Sequence, residues 1–140
     1  MNSYNGFSPA QRMKALGWLK KEYAAGRREP PIACDACGQT KGIIEAHSED
    51  YSEPFGDHIG AYGFCFTCHM MLHCRFRAPD AWSAYCAAVN AGSTFPPFFS
   101  RNFPALQNTF LRMAFPEPVL RPAPARHVLA EIGQGRAAAA

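Results

Sequence analysis

Two Cys-x-x-Cys pairs, Cys34-Asp-Ala-Cys37 and Cys65-Phe-Thr-Cys68, constrain this chain more than any other feature. Each pair can turn two sulfurs toward one point, and 27 residues between the pairs is a spacing that suits a tetrahedral zinc site. The second pair runs directly into His69-Met-Met-Leu-His73. Residues four apart on a helix lie one turn above each other, so His69 and His73 can hold a second ion. With His47 upstream, the two cysteine pairs and this histidine pair make seven soft or borderline ligands, whereas a structural zinc takes four. The three surplus histidines point to chemistry beyond architecture.

A chain of 140 residues allows one small domain with tails. The ligand-bearing segment is about forty residues long, and a core of that size rarely stabilises itself without a metal or disulfides. No apolar run after Met1 is long enough for a signal peptide or membrane span, which places the expected setting in a reducing cytoplasm. There, paired cysteines serve as metal ligands rather than disulfides. Cys74 and Cys86 fall outside the pairs and are expected to pack as small apolar side chains.

The net charge of +3 is too small to establish a nucleic-acid partner, but its distribution is informative. Arg12, Lys14, Lys20, Lys21, Arg27 and Arg28 precede the first cysteine pair, and Arg75 and Arg77 follow His73. Bases flanking a metal site suit contact with a DNA phosphate backbone, with Lys20, Lys21, Arg27, Arg28, Arg75 and Arg77 as the candidate contacts. An ordinary solvated helix face accounts for the same pattern.

Ser8-Pro-Ala-Gln11 predicts a helix start, with Ser8 as N-cap, Pro9 at the first helical position and Gln11 closing a capping box. Met13, Leu16, Leu19 and Tyr23 recur at helical spacing, and Gly26 is placed to end the helix. The run 43–47 predicts a strand, 52–60 a loop and 61–64 a returning strand. A helix is then expected to begin within the second cysteine pair and to carry both histidines. Arg75 to Pro79 interrupts it, and Asp80 is expected to cap a further helix over 81–91 with Trp82, Tyr85 and Val89 on its apolar face. After Gly92, prolines alternate with phenylalanines, so residues 93–140 read as a tail that drapes over the domain or binds a protein partner. One short helix over 105–114 fits, and 134–140 is expected to be disordered. The divisions are therefore 1–31, a basic helix and connector; 32–92, the metal-braced domain; and 93–140, the tail.

The run Cys34-x-x-Cys37, then Ala46-His47-Ser48-Glu49-Asp50-Tyr51-Ser52-Glu53-Pro54, then Cys65-x-x-Cys68-His69-x-x-x-His73, resembles the HNH endonuclease family. It is closest to the branch whose core is braced by a four-cysteine zinc site, and the likeness covers about forty residues. The resemblance implies an α+β fold with a small ββα-metal, treble-clef-like core. It also implies structural Zn²⁺ on Cys34, Cys37, Cys65 and Cys68, and a second divalent metal (Mg²⁺, Mn²⁺, Zn²⁺ or Ni²⁺) on His47, His69 and His73. Anchored on Asp50-Tyr51 and Pro54, the family's water-activating histidine falls on Ser48. A serine hydroxyl ionises far above neutral pH and makes a poor base. His58, in a loop about four residues longer than the family's, is then the candidate displaced base, or else a surface loop residue, and Ser48→His is expected to raise activity.

The implied function is metal-dependent hydrolysis of DNA phosphodiesters, weak or conditional because of Ser48. Two alternatives stand beside it. One is a catalytically inactive zinc module that binds nucleic acid; the other is a zinc-stabilised adaptor that binds protein through its aromatic tail.

Overall fold

The structure, a computed structural model, describes residues 1–106, 119, 120, 129 and 132. In chain order the described elements are α1 (Pro9–Ala24), β1 (Ile44–His47), β2 (Tyr62–Cys65), α2 (Phe66–Cys74), α3 (Pro79–Asn90), β3 (Ser93–Thr94) and β4 (Val119–Leu120). The fold is mixed α+β, built on small two-stranded sheets.

α1 starts as its sequence predicts. The Ser8 hydroxyl accepts from the Gln11 N–H at 3.2 Å, and the Gln11 amide oxygen accepts from the Ser8 N–H at 2.7 Å. Its buried stripe is not the expected one. Met13 is 58% exposed, while Arg12 lies buried alongside Ala15 and Leu19. The seam of α1 faces a small core of Tyr4, Tyr51 and Ile59, and the Arg12 guanidinium lies 5.4 Å from the Tyr4 ring centre and 5.2 Å from that of Tyr51. Arginine fits an aromatic seam because its planar cation stacks on rings.

β1 and β2 form an antiparallel hairpin in which Ile44 opposes Cys65 and His47 opposes Tyr62. The first cysteine pair is tied to this hairpin through one residue. The Asp35 N–H donates to the Gly63 carbonyl at 2.8 Å, and the Gly63 N–H donates to the Asp35 carboxylate at 2.8 Å. A Cβ at Gly63 would sit 2.5 Å from Pro31 Cβ, so only glycine permits this approach. α2 follows β2 without a loop, Cys65 serving as its N-cap.

One cap differs from the sequence expectation. α3 begins at Pro79 behind Ala78, with no side-chain cap, and Asp80 sits inside the first turn, where a carboxylate favours the helix dipole without capping it. Trp82, Tyr85 and Val89 are buried as expected, joined by Cys86. The main core lies between the cysteine pairs, α2 and α3. Phe95, Leu129 and Ile132 from the proline-rich region are buried in it, and β3 pairs antiparallel with β4. The expected helix over 105–114 is described only to residue 106, as a helical turn over 103–106. Its remainder and the segment 134–140 lie outside the described residues. Among the described residues no helix is long and apolar enough to cross a membrane.

Candidate functional site

The hairpin and the start of α2 carry two ligand clusters. In the first, the sulfurs of Cys34, Cys37, Cys65 and Cys68 all lie within 4.8 Å of one another, and all four residues are buried. Cys37 Sγ and Cys65 Sγ are 3.7 Å apart. A tetrahedron with metal–sulfur bonds of about 2.3 Å has edges of about 3.8 Å, so the spacing fits zinc. Backbone N–H groups of Cys37 and Cys68 donate to Cys34 Sγ and Cys65 Sγ at 3.5 Å, and the Tyr85 hydroxyl lies 2.8 Å from Cys68 Sγ. Without a cation the four thiols could not ionise together. Hydrogen bonds from Cys34, Cys65 and Cys68 hold Cys37 far below the usual thiol range, hydrogen bonding with Cys34 and Cys37 pushes Cys65 far above it, and burial pushes Cys68 up. A metal would remove that conflict by taking all four as thiolates.

The second cluster joins β1 to α2. His47 Nδ1 lies 3.1 Å from His69 Nε2, which lies 3.1 Å from His73 Nε2. Three nitrogens on one tetrahedral ion, at bond lengths of about 2.05 Å, sit about 3.3 Å apart. The opposite edges of two rings are occupied by carboxylates. His47 Nε2 meets Glu49 Oε2 at 2.6 Å, and His69 Nδ1 meets Glu45 Oε1 at 3.0 Å. A carboxylate accepts a hydrogen bond from the N–H facing it, which leaves a lone pair on the other nitrogen of each ring. His47 Nδ1 and His69 Nε2 are thus two lone pairs facing each other at 3.1 Å, an arrangement that a shared cation stabilises. Charging the rings does not supply it. Burial lowers His47 and His69 to about 4, and burial together with the neighbouring cationic groups lowers His73 to about 2.

Each carboxylate is itself held by an arginine. Glu49 accepts from Arg75 at 3.1 Å and from the Tyr4 hydroxyl, while Tyr4 accepts from Arg75 at 2.6 Å. Burial pushes the Glu49 carboxyl up, yet hydrogen bonds from His47 and Tyr4 hold it below the ordinary carboxylate range. Glu45 accepts from Arg101. The three histidines open onto a cleft of about 1040 Å³ whose walls include Tyr4, Arg12, Glu45, Arg77 and Arg101.

The remaining predicted residues are distributed as follows. Ser48 is 2% exposed and its hydroxyl accepts from the Gly60 N–H at 2.6 Å, so it is bound into the hairpin loop and is not part of the cleft wall. His58 lies outside the histidine cluster, with Nε2 2.7 Å from the Ser52 carbonyl oxygen, to which it donates. Arg75 was expected to meet phosphate; instead its side chain is fully buried against Glu49 and Tyr4, because the carboxylate beside His47 requires a fixed cation. Lys20 and Lys21 are exposed. Arg27 is exposed and forked onto Glu22 at 2.8 and 2.9 Å. Arg28 is half-buried and donates to the carbonyls of Ile59 at 2.5 Å and Gly60 at 3.4 Å, tying the end of α1 to the loop before β2. Arg77 is exposed at the cleft.

Sequence reasoning missed Tyr4, Arg12, Glu45, Glu49 and Arg101 at this site. Glu45 carried a usable signal, since it stands two residues from His47 on one strand and alternate strand residues share a face. Tyr4 and Arg101 reach the site only through long-range packing. Comparisons with protein-family models, with characterised proteins and with solved structures find no match to this chain.

Proposed function

We propose that this chain is a zinc-braced, metal-dependent nuclease of the HNH type, with a ββα-metal core, that hydrolyses DNA phosphodiesters. The observation that carries the reading is the trio His47, His69 and His73, with His69 Nε2 3.1 Å from a ring nitrogen of each of the other two, and with the outer nitrogens of His47 and His69 facing Glu49 and Glu45. Three protein ligands leave further coordination positions open, which distinguishes a working site from the closed four-cysteine site. A divalent ion bound there would polarise a phosphodiester and stabilise its leaving oxygen. The chain's own contribution is to set the histidine tautomers through Glu45 and Glu49. It also holds those carboxylates with Arg101 and Arg75, and lines the approach with positive charge.

A second reading has a specific observation behind it. The residue at the family's base position, Ser48, is buried and committed to the Gly60 N–H. A general base typically contributes about 10²–10⁴-fold, so a chain without one in place retains metal and DNA binding with little turnover. That describes a zinc-braced DNA-binding module.

Plasmid nicking across Mg²⁺, Mn²⁺, Zn²⁺ and Ni²⁺ separates the two. The nuclease reading expects nicking that is lost in His69→Ala while the protein stays folded. Inactivity with every metal, with DNA binding retained, would establish the binding module instead.

A further inference from the structure

Arg12 stands apart from the other basic residues. It is 9% exposed, and its Nε has no hydrogen-bond partner among the described residues. One of its terminal nitrogens donates to the Asn2 carbonyl, and no carboxylate lies within ion-pair range of it among the described residues. A guanidinium cannot shed its proton, so a buried one without a counter-ion is costly unless an anion reaches it. Arg12 lines the same cleft as the three histidines, and its charge acts on both His69 and His73. Arg77 and Arg101 lie on the same cleft. Among the described residues the one acid on that wall, Glu45, is already taken by His69 and Arg101. The cleft is therefore cationic and short of negative charge.

We propose that Arg12, with Arg77 and Arg101 at the rim, forms a phosphate-binding wall that receives a nucleic-acid phosphodiester beside the three histidines. This rests on the nuclease reading for the identity of the anion and deepens it. The substrate's phosphate is gripped by the N-terminal helix rather than by the basic surface around Lys20 and Lys21. Guanidinium groups suit the task because their planar fork meets two phosphate oxygens at once. Arg12 is also prearranged, its guanidinium held against the Tyr4 and Tyr51 rings, so little side-chain freedom is lost when the anion arrives.

The test uses the zinc-loaded full chain and a short labelled DNA duplex, with no added Mg²⁺ or Mn²⁺, so that binding is read apart from cleavage. Arg12→Gln is expected to weaken binding by about tenfold, the range for a hydrogen bond to a charged group. It should also reduce the slope of log affinity against log salt by about 0.9, the value for one phosphate contact. Inorganic phosphate is expected to compete with DNA on the wild type and less well on Arg12→Gln. Arg101→Gln, at a side chain 45% exposed, is expected to flatten the slope without disturbing the fold, and decides the matter if Arg12→Gln melts. Lys41→Gln, exposed and away from the cleft, is expected to bind nearly as the wild type does.

Wild-type affinity and slope in both arginine variants would overturn the proposal, as would binding by the wild type that is flat in salt. If that result came with DNA nicking by the wild type, the nuclease reading would survive and the phosphate wall alone would fall. Arginine-dependent binding with no nicking under any metal would do the reverse.

Discussion

Two glutamates decide what His47 and His69 can do. Glu45 and Glu49 leave the inner nitrogens of these rings without protons, and outer carboxylates of this kind typically tune metal affinity by 10–100-fold. Glu45→Gln is therefore expected to weaken metal binding at the histidine cluster by about 10-fold or more with the fold intact, measured by calorimetric titration of metal into the zinc-loaded protein. Unchanged affinity would show that Glu45 does not orient His69. Glu49→Ala has a second consequence, because it leaves the fully buried Arg75 unpaired. Removing one partner of a buried pair costs about 3–5 kcal/mol, so this variant is expected to show a large drop in melting temperature. Ser48 calls for a different expectation than its sequence position does. Its hydroxyl satisfies the Gly60 N–H inside a space that leaves it 2% exposed, and Gly60 has φ +63 with Leu19 against it. Ser48→His is expected to lose stability rather than to gain activity, by about 1–3 kcal/mol for the orphaned N–H alone. Faster nicking by Ser48→His in a folded protein would reverse that conclusion.

Among the elements, the hairpin is the part on which both clusters depend. It delivers His47 from β1 and Cys65 from β2, and α2 continues from the same strand to deliver Cys68, His69 and His73. Its link to the first cysteine pair runs through Gly63 and Asp35. A methyl at Gly63 would meet Pro31 at 2.5 Å and the Ala33 carbonyl oxygen at 3.1 Å, pushing Cys34 and Cys37 away from Cys65 and Cys68. Gly63→Ala is expected to cost about 1–3 kcal/mol, the usual range for overpacking, and to release zinc at a lower chelator concentration. Zinc retention equal to the wild type would show that the two halves are held together by other contacts.

At the scale of the molecule, the two clusters are expected to play different thermodynamic parts. The four cysteines lie inside the main core with Tyr85, Trp82 and Leu72, so losing a bound metal would leave mutually repelling thiolates or poorly packed thiols at its centre. Strong chelation or Cys37→Ala is expected to abolish the cooperative thermal transition. His69→Ala is expected to lose one equivalent of metal while keeping that transition, as read by metal analysis and calorimetry on the same sample. Loss of the transition in both variants would mean that the histidine cluster is also structural.

The ligand sets were readable in the chain because they are local. Two Cys-x-x-Cys pairs and a histidine pair four residues apart have few ways to face one ion, and the capping box at Ser8 acts over three residues. Strand, hairpin and helix boundaries around the ligands followed from the same short-range rules. The surroundings of those ligands were not readable. Whether Arg12 or Met13 turns inward depends on the rings α1 lies against, and Tyr4 and Tyr51 come to it from either side of the helix in sequence. The burial of Arg75 depends on Glu49, 26 residues away, and the hold on Glu45 depends on Arg101, 56 residues away. Sequence by itself marked which residues could bind metal. Tertiary packing decided their tautomers, their dielectric surroundings and the charge of the cleft, because these are sums over neighbours that only the folded chain brings within a few ångströms.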